Sequence, residues 1–239
     1  RATLGNDLAY GGQGADSVNG GNGDDTLFGG DDDDRIDGGT GNDFAYGGSG
    51  NDTIDGGGDD TLGHDTLFGD EGNDVLRGGG LGDDLMYGGN GNDNIDGGND
   101  QDSLYGDDGA DVVTGGQGAD LLYGGNGNDS LVGESQADTI YGGSGRDTLR
   151  GGSQDDLLYG GDDDDYLVED SDNATMFGGQ GNDSLYGNGA SVVLYGDDDN
   201  DLIYGSVSND TLFGGSGNDT IFTDNASDRV YGDAGNDLI

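Results

Sequence analysis

Gly11-Gly12-Gln13-Gly14-Ala15-Asp16-Ser17-Val18-Asn19 reads GGxGxDxUx, where U is a large apolar residue, and the next nine residues, Gly20 to Phe28, read the same way. Working outward from these two copies, the whole chain divides into nonapeptides with an apolar residue at position eight. Twenty-six units fit, from Ala9, Val18, Leu27 and Ile36 through to Ile221, Val230 and Ile239, and no copy is polar there. Only two insertions are needed, Gly56 to Asp59 and the single Gly78.

Three residues with the middle side chain inward make a short strand. On this reading six Gly-rich residues then make a turn, and two units close one coil. Position nine shows that the true period is eighteen. In odd units it is always aromatic, from Tyr10, Phe28 and Tyr46 to Tyr195, Phe213 and Tyr231. In even units it starts Asn19, Asp37, Asp55, Arg77, Asp96, Thr114. The expected fold is therefore all-β: a parallel β-roll, or two-sheet right-handed β-solenoid, of 18 residues per coil and about 13 coils. Each coil adds one strand per sheet, giving a rod about 60 Å long. No composition break interrupts the register, so residues 1–239 read as one solenoid domain. The absence of polar or bulky end caps predicts a fragment of a longer protein.

Composition narrows the function. Gly accounts for 58 of 239 residues, Pro and Cys are absent, and 52 acids against 6 basic residues give a formal charge of -46. Low hydrophobicity with high net charge marks a chain that cannot fold unaided. Stacked carboxylates ~4.7 Å apart repel by roughly 1 kcal/mol in water and ~3–4 kcal/mol at a surface-like dielectric. The chain is thus either disordered or folded on a multivalent cation. Nucleic acid is excluded as a partner by the lack of a basic patch, and no apolar run reaches the ~18 residues of a transmembrane segment.

The turn chemistry selects the cation. Positions one, two and four are usually Gly, suiting φ > 0 and leaving carbonyls exposed. Position six is Asp, the smallest carboxylate. Carbonyls plus a carboxylate suit Ca²⁺, which takes six to eight oxygens in flexible geometry. One turn offers too few, so each ion is expected between two stacked turns. The even row carries Asp16, Asp34, Asp52, Asp74, Asp93, Asp111, Asp129, Asp147, Asp165, Asp183, Asp201, Asp219 and Asp237, and reads as a nearly continuous calcium row. The odd row carries Asp7, Asp25, Asp43, Asp65, Asp84, Asp102 and Asp120, then Asp138 and Asp156, then Ala174 and Val192, then Asp210 and Asp228. It reads as strong in its first half, weaker later, and empty around Ala174 and Val192. Its position-four Gly is lost from Asp100 onward, Gly118 excepted. The accompanying glycines are Gly12 and Gly14, Gly21 and Gly23, Gly48 and Gly50, Gly89 and Gly91, Gly125 and Gly127, Gly143 and Gly145, Gly179 and Gly181, and Gly215 and Gly217. Filling these sites takes roughly 16–20 calcium ions.

These residues resemble the repeat domain of RTX (repeats-in-toxin, haemolysin-type) proteins over essentially residues 2–239. The resemblance implies secretion by a bacterial type I system, an extracellular location and folding on external calcium. It also implies flanking domains in a parent protein, such as a protease, lipase or adhesin. The leading reading is a calcium-binding structural module without enzyme activity, since the repeat already uses every acid. The alternative is an adhesin or polysaccharide-recognition module that binds a cell-surface glycan or protein along the Tyr/Phe ladder. Ice binding needs regular Thr or Asn rows, and position three has Thr only at Thr40. The single His64 reads as a surface residue, and Met86 and Met176 as core.

Overall fold

The computed structural model describes residues 4–58 and 63–239. The chain forms two compact units, Arg1–Leu122 and Tyr123–Ile239. Among the described residues there is no helix, and so none long and apolar enough to cross a membrane.

In the first unit, strands alternate between two parallel sheets. Leu8–Gln13, Thr26–Asp31, Phe44–Ser49, Thr66–Glu71, Leu85–Asn90 and Ser103–Asp108 form one; Ser17–Asn22, Arg35–Thr40, Thr53–Gly57, Val75–Arg77, Asn94–Asn99 and Val112–Gln117 form the other. The second unit repeats the plan. One sheet includes Thr139–Ser144, Asp156–Asp162, Ala174–Gln180, Val193–Asp198, Thr211–Ser216 and Arg229–Ala234. Its companion holds Ser130–Ser135, Thr148–Ser153, Tyr166–Glu169, Ser184–Gly187, Leu202–Tyr204 and Thr220–Phe222. The register places like on like: Val18 pairs with Ile36, Gly21 with Gly39, Tyr141 with Tyr159. This is the parallel two-sheet solenoid with an 18-residue coil that the position-nine alternation implies.

The strands are longer than three residues. A typical strand runs from position seven through position three of the following unit, as Ser17–Asn22 does, and only three residues turn. Pairing continues through the Gly-Gly step because position two bends at positive φ without leaving the ladder, as Gly12 (φ 117) paired with Gly30 shows.

Side chains alternate in and out along this run, as a pleated strand requires. Positions six, eight and one all face inward. Position eight is the core, with residues from Leu27 to Leu212 at 0% exposure wherever the repeat is regular. Position one packs beside it, and there glycine answers a need for space. A Cβ on Gly142 would lie 2.4 Å from Asp147 Oδ2 and 2.5 Å from the Gly160 carbonyl.

Both longer coils keep the inward-packing positions of the repeat. Gly56 and Gly57 keep positions one and two, and Gly63 takes position four, where a Cβ would touch the Gly41 carbonyl at 2.7 Å. Gly56 and Gly57 are therefore part of the regular repeat and not, as the sequence suggested, of the insertion expected at Gly56 to Asp59, whose end falls in residues 59–62, outside the described residues. Gly78 likewise stays at position one, and the extra residue sits at Gly80-Leu81, ahead of Gly82 (φ 137) at position four. Positions one, two, four and six are pinned by packing on the neighbouring coils. Position three faces outward, as exposed Gln13, Asn22 and Asp31 do, so the extra residue at Gly80-Leu81 leaves the inward positions in place. Register survives: Ala45 pairs with Leu67 and Leu76 with Ile95.

The aromatic residues at position nine stack face to face, with centroids 4.7 Å apart for Tyr46–Phe68 and Tyr141–Tyr159, and 4.8 Å for Tyr10–Phe28. The second unit adds a shorter row on the even sheet, where Tyr186–Tyr204 and Tyr204–Phe222 stack at 4.9 and 4.6 Å.

Candidate metal centres

Each turn brings its position-six Asp to the inside of the coil. One carboxylate oxygen is used at once: where position six is Asp one coil on, its Oδ1 accepts from the backbone N–H of the position-six residue before it. Asp25 N–H reaches Asp43 at 2.7 Å, Asp34 reaches Asp52 at 2.7 Å, and Asp183 reaches Asp201 at 2.9 Å. The 22-residue coil keeps the same bond, from Asp43 to Asp65 at 2.7 Å.

The other oxygen is left over. Oδ2 of Asp25, Asp34, Asp43, Asp52, Asp74, Asp93, Asp102, Asp147, Asp165, Asp183, Asp201 and Asp219 is buried without a hydrogen-bond partner. Each faces the space left by a position-one Gly, with the next coil's position-one carbonyl on the far side of that space, as at Gly47, Gly88 and Gly160. A buried carboxylate oxygen without a donor is costly, and this cost recurs at each of these twelve turns.

Burial accordingly pushes these carboxyls up. It is opposed by the backbone N–H that each accepts and, at all of them but Asp120, reinforced by acidic neighbours. Asp43, Asp74 and Asp147 rise to about 7, Asp102, Asp165 and Asp201 to about 8, and Asp84, Asp120 and Asp183 to about 6. Such a column is neutral with protons or with a cation, and is unstable with neither.

All sixteen position-two and position-four glycines expected at the sites have positive φ, from 89° at Gly14 to 151° at Gly217. At position four a Cβ would strike the carbonyl of the preceding coil, as at Gly50 (Asp32 O, 2.5 Å), so these carbonyls form a stacked column. Among the described residues, no three His, Cys, Asp or Glu side chains converge on one point. The donor set at these turns is thus an orphaned carboxylate oxygen among backbone carbonyls. That all-oxygen set fits Ca²⁺ rather than a metal seeking nitrogen or sulfur.

The end members sit differently. Asp7 and Asp16 donate in the same way, to Asp25 and Asp34, but are only half-buried. Asp237 is likewise half-buried and accepts from the Asp219 N–H at 3.2 Å.

In the odd row the turn shape outlasts its glycines. Asp100 (φ 71), Gln136 (φ 78) and Gln154 (φ 84) hold the left-handed conformation at position four, whereas Asp172, Ala190, Ser208 and Ala226 do not. The last turns then take three separate forms. At 187–192, Val192 is 1% exposed and fills the position-six space, its methyl 2.6 Å from where a Gly187 Cβ would be. At 205–210, the Ser206 hydroxyl lies 2.6 Å from the Ala190 carbonyl and 3.0 and 3.2 Å from the Asp210 carboxylate oxygens, acceptors between which its one O–H is shared. At 169–174, Ala174 replaces Asp while Glu169 replaces Gly at position one.

Two features fall outside the GGxGxD pattern as a sequence shows it. Position five builds an outer ladder, in which Oδ1 of Asn182 accepts from Asn200 N–H at 3.3 Å and Oδ1 of Asn200 from Asn218 N–H at 2.8 Å. The run Asn182, Asn200, Asn218, Asn236 is the signal that reveals it. Glu169 is the second, a buried acid at a position the pattern reserves for Gly.

A family model described as RTX calcium-binding nonapeptide repeat (4 copies) matches residues 1–36, 28–62, 59–95, 79–104, 105–140, 132–167, 141–176, 177–212 and 204–239. No curated protein matches the chain. Among solved structures, the chain is similar to a hyperactive, Ca²⁺-dependent, β-helical antifreeze protein from an Antarctic bacterium. The TM-score is 0.51 and the identity 21%, over 99% of this chain and 83% of that one. At that identity the likeness speaks to the fold alone.

Proposed function

The chain belongs to the RTX calcium-binding nonapeptide repeat family, and from that premise we propose that it is the calcium-folded structural module of a secreted bacterial protein. The observation that carries the reading is the column of buried, unpartnered Oδ2 atoms at position six. Asp34, Asp52, Asp74, Asp93, Asp147, Asp165, Asp183, Asp201 and Asp219 of the even row would hold ions together with carbonyls of the Gly-rich turns. Asp25, Asp43, Asp65, Asp84 and Asp102 would do so in the odd row. When bound, calcium supplies the positive charge that the carboxylate column lacks.

The chain's own part is to present the oxygens in register and keep water from them. Without cations, a formal charge of -46 opposes compaction. Inside a cell, where free calcium is scarce, the chain would stay extended and competent for export. Outside, where calcium is plentiful, it would fold. RTX repeat proteins are typically extracellular, and we place this one there too, joined to flanking domains of a parent protein.

The aromatic ladder supports this structural reading over glycan recognition. Its rings lie parallel, within 2° for Tyr141–Tyr159 and 1° for Tyr195–Phe213. Each ring therefore spends on its neighbours the face that a sugar would need, and the ladder reinforces strand pairing.

The test is far-UV circular dichroism during a Ca²⁺ titration, with Mg²⁺ as control. The expected outcome is a disordered spectrum in chelator that turns to β-sheet with Ca²⁺ alone. A complete β-sheet spectrum in chelator at neutral pH would overturn the proposal.

A further inference from the structure

The turn at 169–174 departs from the repeat twice, and the two departures compensate. Position six has lost its carboxylate, being Ala174, and position one has gained one, Glu169. Glu169 is 0% exposed. Its Oε1 accepts from Asp170 N–H at 3.0 Å and Ser171 N–H at 3.3 Å, while Oε2 is buried with no partner.

That free oxygen is aimed at a second one. Asp156 is 3% exposed, its Oδ1 accepts from Asp138 N–H at 2.8 Å, and its Oδ2 is buried and unpartnered. A Cβ on Gly151 would lie 2.4 Å from Asp156 Oδ2 and 2.6 Å from Glu169 Oε2. In a regular turn the second neighbour is the next coil's carbonyl, as with Gly160 O at 2.5 Å from the Gly142 Cβ position. A carboxylate oxygen thus stands where the repeat presents a carbonyl.

Two buried acids face each other here, and no side chain neutralises them. The nearby base, Arg150, is mostly exposed and paired with Asp170. The next odd turn shows the apolar alternative: the chain closes that turn with Val192. Around Glu169 it instead brings in a second charge.

We propose that Asp156 and Glu169 form a divalent-cation site built from two side-chain carboxylates, outside the nonapeptide pattern. The odd row then continues through the turn in which Ala174 has replaced Asp. Two carboxylates oppose two positive charges, which favours a divalent over a monovalent ion. The assignment rests on the calcium reading for the identity of the ion.

Native mass spectrometry at saturating Ca²⁺ counts bound ions per chain, with circular dichroism reporting the fold. In Glu169→Gln, Oε1 keeps its two backbone donors and the amide can donate to Asp156 Oδ2, so the turn is satisfied without an ion. The expected count is one below wild type. Asp156→Asn should give the same loss, and the exchange Glu169→Gly with Ala174→Asp, which restores the repeat, should recover the wild-type count. A full count in both single variants would overturn the site, leaving a carboxyl pair that shares a proton. A wild-type chain that binds no calcium would instead overturn the calcium reading itself.

Discussion

The backbone N–H of Asp147 donates to Oδ1 of Asp165 at 2.8 Å, while Oδ2 of Asp165 lies buried without a partner. The same carboxylate therefore ties one coil to the next through one oxygen and needs a cation or a proton at the other. Stability and metal affinity are in this way built into a single side chain, and perturbing one must move the other.

Acid should partly replace calcium. Burial raises Asp165, Asp201 and Asp102 to about 8 in the folded chain, above an ordinary value of 3.8. A raised folded value means that the fold holds more protons than the unfolded chain between those limits, so stability falls as pH rises. The contribution is complete below the ordinary value and is lost as pH climbs through about 6 to 8. In chelator, β-sheet ellipticity should be stronger at about pH 5 than at about pH 8. Because protons and Ca²⁺ compete for the same oxygens, the calcium midpoint should move to higher concentration as pH falls. A metal-free spectrum that loses β-sheet on acidification would contradict the raised values.

Space, rather than backbone freedom, should decide position one. Gly160→Ala would set a methyl 2.4 Å from Asp165 Oδ2 and 2.5 Å from the Gly178 carbonyl. Overpacking of that kind costs about 1–3 kcal/mol, and here it also crowds an ion site. Gln154→Gly should act in the opposite sense. Gln154 holds φ 84, and relief of a left-handed non-glycine residue is worth about 1–2 kcal/mol. Thermal melts at saturating calcium should place the two variants on opposite sides of wild type.

What the sequence discloses follows from where the pattern is strict. Position eight is apolar in every unit and position nine aromatic in every odd one, so the coil, the two sheets and the like-on-like stacking are legible from Val18, Ile36, Tyr10 and Phe28 alone. The six-residue strands are not, because Gly20-Gly21 reads as turn, yet its backbone keeps pairing through positive φ. The reason for position one is hidden too, since a glycine chosen for space looks like one chosen for conformation. Glu169 and Ser206 are harder still. Glu169 brings back a carboxylate lost several residues on at Ala174, and Ser206 reaches Asp210 and the neighbouring coil's Ala190 carbonyl, yet a pattern match at either position records only a mismatch.

Loss of one ring should weaken the ladder without touching an ion. Tyr159 stacks on Tyr141 at 4.7 Å and on Phe177 at 4.9 Å. At about 0.5–1.5 kcal/mol per aromatic pair, Tyr159→Ala should cost about 1–3 kcal/mol. Chemical denaturation at saturating calcium would measure it, and the number of bound ions should stay at the wild-type value.

The two rows should respond differently to the loss of a polar group. Asp183→Asn keeps an oxygen for the Asp165 N–H, a bond now 2.8 Å long, and removes one negative charge beside Asp165 and Asp201. Its sign therefore depends on calcium. In chelator the variant should be easier to fold than wild type, because less like charge is stacked. In saturating calcium it should be weaker by about 1–3 kcal/mol and bind fewer ions, because an anionic ligand is gone. Ser206→Ala has no such sign change. The hydroxyl serves Asp210 and the Ala190 carbonyl, and on the neighbouring coil position six is Val192, which offers no side-chain oxygen. Its removal should cost about 1–3 kcal/mol with or without calcium and leave the ion count unchanged. Denaturation in both conditions, with an ion count on each variant, checks the contrast. Calcium-independent behaviour of Asp183→Asn would count against the even row as the calcium row.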